Sequence, residues 1–136
     1  MIEELIFKII EDAKKLNETL PIIVEGDRDI TSLKKLEFSG IIMKINTGNS
    51  LLDFCDEIAK EYEEVVILMD WDDKGKELEN TLLRYLRDLG IKSNIDIWQK
   101  LQRFAGEISC VEELYSFINE IDKRVGERRL NIDINE

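Results

Sequence analysis

The sequence contains no histidine, which excludes Ser-His-Asp and Cys-His catalysis, imidazole metal sites and imidazole pH switching. Its two cysteines, Cys55 and Cys110, are too few for a disulfide framework. Each falls in an apolar pattern of helical period, so both are expected as buried free thiols in a reducing compartment. Proline occurs once, at Pro21. No apolar run approaches the roughly 20 residues of a membrane span. The start Met1-Ile2-Glu3-Glu4 lacks the basic residues of a signal peptide, so a cytoplasmic protein is expected. Basic residues are also in short supply, with 19 against 30 acidic ones and a formal net charge of −11. That balance argues against a non-specific nucleic-acid coat, which needs basic surface to displace counterions.

What is present suffices for one folded domain. The chain has 136 residues, 43% of them hydrophobic and 36% charged, enough apolar material for a core and too much for a disordered tail. The charge is unevenly spread. Residues 61–80 hold eight acids and two bases, whereas residues 84–103 hold five bases and two acids. Ile2, Leu5, Ile6, Ile9, Ile10, Ala13 and Leu16 recur at helical spacing and predict an N-terminal helix, packed on the domain, that stops before Pro21.

The period then changes. Ile22-Ile23-Val24, Ile41-Ile42-Met43-Lys44-Ile45 and Val65-Val66-Ile67-Leu68-Met69 are short and β-branched, and they read as strands covered on both faces. Helical patterns lie between them: residues 29–37, then Leu51, Leu52, Cys55, Ile58, Ala59 and Tyr62, then Leu78, Leu82, Tyr85, Leu86 and Leu89, with Gly90 as a C-terminal cap. Residues 91–97 predict a weaker strand at a sheet edge. A last helix is expected from Ser109, where Ser109 and Glu112 match a capping box. Residues 126–136 read as a charged, loosely held tail. The alternation predicts an α/β domain with a parallel sheet and helices on both faces.

In such sheets ligands collect beyond the carboxyl ends of the strands. The first strand ends in Glu25-Gly26-Asp27-Arg28-Asp29, the second in Asn46-Thr47-Gly48-Asn49-Ser50, the third in Asp70-Trp71-Asp72-Asp73-Lys74-Gly75. Gly26 and Gly75 suit turns in which backbone approaches a ligand or another loop. Asp70 and Asp72, two apart on an extended segment, point to the same side. If the first and third strands are neighbours, in order 2-1-3-4, Glu25 joins them. Three carboxylates that close need a cation or a shared proton. With no histidine and no cysteine cluster, a hard, oxygen-preferring cation such as Mg²⁺ fits. Taken singly, Asp29, Asp53 and Asp73 read as turn or helix-cap residues. Trp71 could stack on a base, but packing against a neighbouring loop is the commoner role of such a residue.

Val-Glu-Gly closing the first strand, a Gly-containing loop after the second and Asp-x-Asp-x-x-Gly closing the third resemble the Toprim domain of primases, type IA and type II topoisomerases, OLD-type nucleases and recombination-mediator proteins. The resemblance covers residues 20–118. In length the chain is similar to the small stand-alone Toprim proteins found mainly in archaea. The resemblance implies a three-layer, Rossmann-like fold over residues 20–125, with strand order 2-1-3-4. It implies that Glu25 acts as general acid/base or contributes to the catalytic metal site, and that Asp70 and Asp72 bind Mg²⁺, for which Mn²⁺ can substitute. Gly26 and Gly75 match the motif glycines. Trp71 departs from the commonest pattern, where a small residue or proline is frequent, and Asp73 stands where many members carry a base.

Two functions follow as expectations. One is a Mg²⁺-dependent enzyme that cleaves or trims nucleic-acid phosphodiesters, DNA or RNA, with Glu25, Asp70 and Asp72 as both catalytic and metal-binding residues. The other is a non-catalytic metal- and nucleic-acid-binding module of a DNA repair or RNA processing assembly, with protein partners or a homodimer. Strand passage is disfavoured, because Tyr62, Tyr85 and Tyr115 all lie in helical apolar patterns and none reads as a nucleophile. Aspartyl-phosphate chemistry fits badly, because haloacid-dehalogenase phosphatases and response-regulator receivers carry their acids after the first strand, where this chain has Glu-Gly.

Overall fold

A computed structural model describes residues 2–135, with side chains described through Arg124. Among these residues the chain forms six α-helices, α1 (Ile2–Asn17), α2 (Asp27–Lys35), α3 (Leu51–Glu61), α4 (Asp73–Asp88), α5 (Asp96–Gln102) and α6 (Leu114–Asn135). Four strands, β1 (Ile22–Val24), β2 (Ile42–Lys44), β3 (Glu64–Ile67) and β4 (Lys92–Asn94), form one sheet in the order β2-β1-β3-β4. Every pairing is parallel, so the expected α/β architecture and strand order are those observed.

The alternation of the central strands sorts their side chains between two cores. Ile22, Val24, Val66 and Leu68 face one layer, with Ile6, Ile10, Leu33, Trp98 and Leu114 from the surrounding helices. Ile23, Val65, Ile67 and Met69 face the other, against Phe54, Cys55, Ile58, Leu82 and Leu86 of α3 and α4. All seven side chains of β1 and of residues 65–68 are fully or almost fully buried, and each contributes about 1.5–3 kcal/mol by leaving water. β2 and β4 are the edge strands, and the exposed Lys92 of β4 is the kind of charged residue that keeps an edge from pairing further.

Several local expectations need correction. The segment expected as a strand over 91–97 pairs only at Lys92–Asn94, and α5 begins at Asp96, where Asn94 Oδ1 accepts the Asp96 N–H at 3.0 Å. Cys55 is buried, but Cys110 is half-exposed in the chain preceding a 3₁₀ turn at Val111–Glu113. The N-cap of that turn is Cys110, with no side-chain cap, and Ser109 pairs instead with Glu113, one residue beyond the expected Glu112, its Oγ donating to Glu113 Oε1 at 2.6 Å. The backbone of α6 runs on to Asn135. The side chains of the charged segment 126–136 lie outside the described residues, and the expectation of a loosely held tail lies there with them.

One buried polar side chain ties the N-terminal helix to the sheet. Asn17, 1% exposed, donates from Nδ2 to the carbonyls of Leu20 and Ile41, both at 3.0 Å, and accepts the Gly40 N–H at 2.9 Å. A Cβ at Gly40 would run into the Asn17 backbone. The end of α1 is thereby locked against the entry to β2. Gly90, at φ +78°, ends α4 as expected, releasing the chain so that the Ile91 N–H returns to the Leu86 carbonyl at 2.9 Å.

Candidate metal centre

The sheet register brings the acids together. Ile23 pairs with Ile67, and the Leu68 N–H donates to the Ile23 carbonyl at 2.9 Å. Continuing that register by two residues sets Glu25 level with Met69 and one short of Asp70. Between Asp70 and Asp72, Trp71 turns inward. It is 6% exposed, and its Nε1 donates to the Trp98 carbonyl at 3.4 Å, so it is a packing residue with no face free for a base.

Each acid is held by a different backbone group. Asp70 Oδ1 accepts the Val111 N–H at 3.0 Å. Asp72 is the N-cap of α4, and its Oδ1 accepts the Gly75 N–H at 2.7 Å. Gly75 must be a glycine, because a Cβ there would run into the Asp70 carbonyl. Gly26 has a different reason to be small: its backbone is extended, and a Cβ would meet nothing in the protein, which keeps one wall of the cleft open. Asp29 reaches back to the Gly26 N–H at 3.1 Å from the first turn of α2. It is the cap that the sequence suggests, and it is also 7% exposed and part of the cleft wall.

These elements enclose an open cleft of about 700 Å³ at the carboxyl end of the sheet. Glu25, Asp29 and Asp70 line it; Asp72 does not and is exposed beside it. Sequence reasoning placed Glu25 and Asp70 here and undervalued Asp29. It missed Glu112, which lines the cleft from the 3₁₀ turn, because no local signal links residue 112 to residue 70. Asn46 and Asn49 of the loop after β2 also face the cleft, as do Arg28 and Lys74.

The electrostatics follow from the crowding. Burial, then the charges of Asp70, Asp29 and Asp72, push the Glu25 carboxyl up to about 7, against a hydrogen bond from the Asp70 backbone. Burial also raises Asp70 and Asp29, opposed by the N–H groups of Val111 and Gly26 respectively. Glu25 Oε1 is buried and has no hydrogen-bond partner among the described residues. Among the described residues no three acids or cysteines are already arranged as a ready-made ligand set for a metal ion. Mg²⁺ does not need one, since it is commonly held by one or two carboxylates, with waters and phosphate oxygens completing its shell. The orphaned Glu25 oxygen beside Asp70 fits such a cation.

This site and this sheet define a class. The model of the Toprim domain matches residues 21–100, and a Toprim domain is often a Mg²⁺-dependent phosphoryl-transfer module. A UPF0292 protein of Thermoplasma volcanium is 39% identical over 113 residues, covering 82% of this chain and 94% of the relative. One from Methanosarcina acetivorans is 40% identical over 126 residues, covering 92% of this chain and 85% of the relative. A third, from Methanocaldococcus jannaschii, is 33% identical over 85% of this chain and 91% of the relative. The chain therefore belongs to the UPF0292 family of Toprim domain proteins. A solved structure described as a putative protein from Aquifex aeolicus shares the fold, with a TM-score of 0.69 and 24% identity over 78% of this chain and 94% of that one. No helix of the described residues is long and apolar enough to cross a membrane.

Proposed function

We propose that the protein is a Mg²⁺-dependent enzyme that cleaves or trims nucleic-acid phosphodiesters at the cleft beyond β1 and β3. The observation that carries the reading is the Glu25 carboxyl, whose buried oxygen lacks a partner among the described residues and whose proton is held to about pH 7 by burial and three neighbouring acids. Glu25 and Asp70 would hold the cation, with Asp72 beside them, and Mn²⁺ could replace Mg²⁺. Bound there, the cation supplies orientation of the phosphate and neutralisation of its developing charge. A carboxyl poised near neutrality is suited to take a proton from an attacking water or return one to a leaving oxygen. The Val111 N–H fixes Asp70, and the Gly75 N–H fixes Asp72, so neither acid must be ordered when ligand arrives.

A second reading is favoured by one observation: among the described residues the cleft is lined by five carboxylates and two cations. A module that binds metal and nucleic acid within a larger repair or processing assembly, without cleaving, needs no more. Assays on single-stranded and duplex DNA and RNA, with Mg²⁺ or Mn²⁺ against EDTA, separate the two. Metal-dependent cleavage that is lost in Glu25→Gln is the expected result, because the amide keeps the shape and cannot transfer the proton. Measurable nucleic-acid affinity without cleavage of any substrate would favour the module.

A further inference from the structure

We infer that Arg28 is the residue that grips the substrate backbone, that Glu112 holds it while the cleft is empty, and that an incoming phosphodiester displaces Glu112. The inference rests on the reading of the cleft as a nucleic-acid site and adds the residues by which an acidic protein takes an anionic ligand.

Among the described residues, Arg28 and Lys74 are the two cations that line the cleft. Each is the second residue of the helix that follows its strand, Arg28 in α2 and Lys74 in α4. They therefore stand on two sides of the acids, beside helix ends whose dipoles favour a negative ligand. Lys44, on the neighbouring strand, is engaged with Asp27 at 2.8 Å. Arg28 is held only weakly: its guanidinium is 4.0 Å from Glu112 Oε1, and its side chain is 85% exposed. Exposed pairs of that length contribute little and exchange partners readily. The planar fork of an arginine matches two phosphate oxygens at once, which a single distant carboxylate oxygen does not.

Glu112 is well placed to be the displaced partner. It lies outside the matched Toprim segment, in the 3₁₀ turn whose Val111 N–H is bonded to Asp70. The same turn thus fixes one acid of the centre and presents another carboxylate at the rim. Once Arg28 turns to a phosphate, Glu112 remains as an uncompensated negative charge beside it. Its presence weakens binding, and its removal strengthens it.

The test is fluorescence anisotropy with labelled single-stranded DNA and RNA oligonucleotides, in Ca²⁺ to prevent turnover, over a range of salt concentrations. Arg28→Ala is expected to weaken binding about tenfold and to reduce the salt slope by about one counterion. Arg28→Lys should restore part of the affinity as a point charge. Glu112→Gln should bind several-fold more tightly than wild type, and this gain should shrink in the Arg28→Ala background. Both side chains are exposed, so melting curves should stay unchanged and serve as the folding control. Binding that is indifferent to Arg28→Ala and Glu112→Gln overturns this inference and leaves the functional reading standing. Failure of the wild type to bind either oligonucleotide overturns both.

Discussion

Asp70 and Val111 are 41 residues apart in sequence, and the Val111 N–H donates to Asp70 Oδ1 at 3.0 Å. The bond joins the end of the third strand to the turn before α6, so the acid at the centre of the cleft is oriented by the segment that closes the domain. It also separates the two roles of the carboxylate. Asp70→Asn retains an acceptor for Val111 and removes the charge, and in EDTA it should melt no lower than wild type. Asp70→Ala leaves a part-buried N–H unpaired and should lose about 1–3 kcal/mol. Thermal and urea melting of the two variants reads the difference. Equal destabilisation of both would show that the charge, not the hydrogen bond, matters to the fold.

Glu25 makes metal binding depend on pH. Its folded pKa, raised to about 7, means that a bound cation must displace a proton below neutrality. The Mg²⁺-induced rise in melting temperature should therefore grow between pH 6 and pH 8. It should vanish in an Asp70→Asn, Asp72→Asn double variant. A rise that is the same at both pH values would contradict the assignment of Glu25 as a ligand.

Glu79 is a buried acid away from the cleft wall. It is 4% exposed on α4, its Oε1 has no partner among the described residues, and burial raises its carboxyl to about 7. Because the folded value lies above the ordinary glutamate value of 4.5, the folded protein holds its proton more tightly than the unfolded chain. The cost of ionising it is absent at pH 4, grows from about pH 4.5 and is complete above about pH 7. Glu79→Gln should therefore gain stability over wild type as pH rises through that window, by up to ~3 kcal/mol. Parallel stability curves from pH 4.5 to 8 would contradict it.

Asn17 makes three hydrogen bonds in the core, and Asn17→Ala leaves two carbonyls and one N–H without it. A loss of about 2–4 kcal/mol is expected. Denaturant unfolding measures it, and a loss below 1 kcal/mol would mean that water replaces the side chain at little cost.

The sheet and its order were legible because β1 and β3 are unbroken apolar runs whose ends carry their acids at fixed offsets; Glu25 and Asp70 could be placed from that alone. What escaped depended on distance along the chain or on competing local signals. Glu112 reaches the cleft only because the turn after α5 folds back on Asp70. Asp29 looks like any helix cap, and its burial is a property of the packed domain. Residues 91–97 read as a weaker edge strand with polar interruptions, yet Asn94 Oδ1 accepts the Asp96 N–H and the chain turns into α5 after three paired residues. Cys110 shares the period of a helix that starts four residues later.

Glu25 and Asp70 are proposed to share a divalent cation. A crystal soaked in Mn²⁺ tests it most directly, through the anomalous difference map at the cleft. The expected result is a peak within ligating distance of carboxylate oxygens of both Glu25 and Asp70, lost in Asp70→Asn. A peak bound elsewhere, or a cleft that stays empty at saturating Mn²⁺ and pH 8, would contradict it.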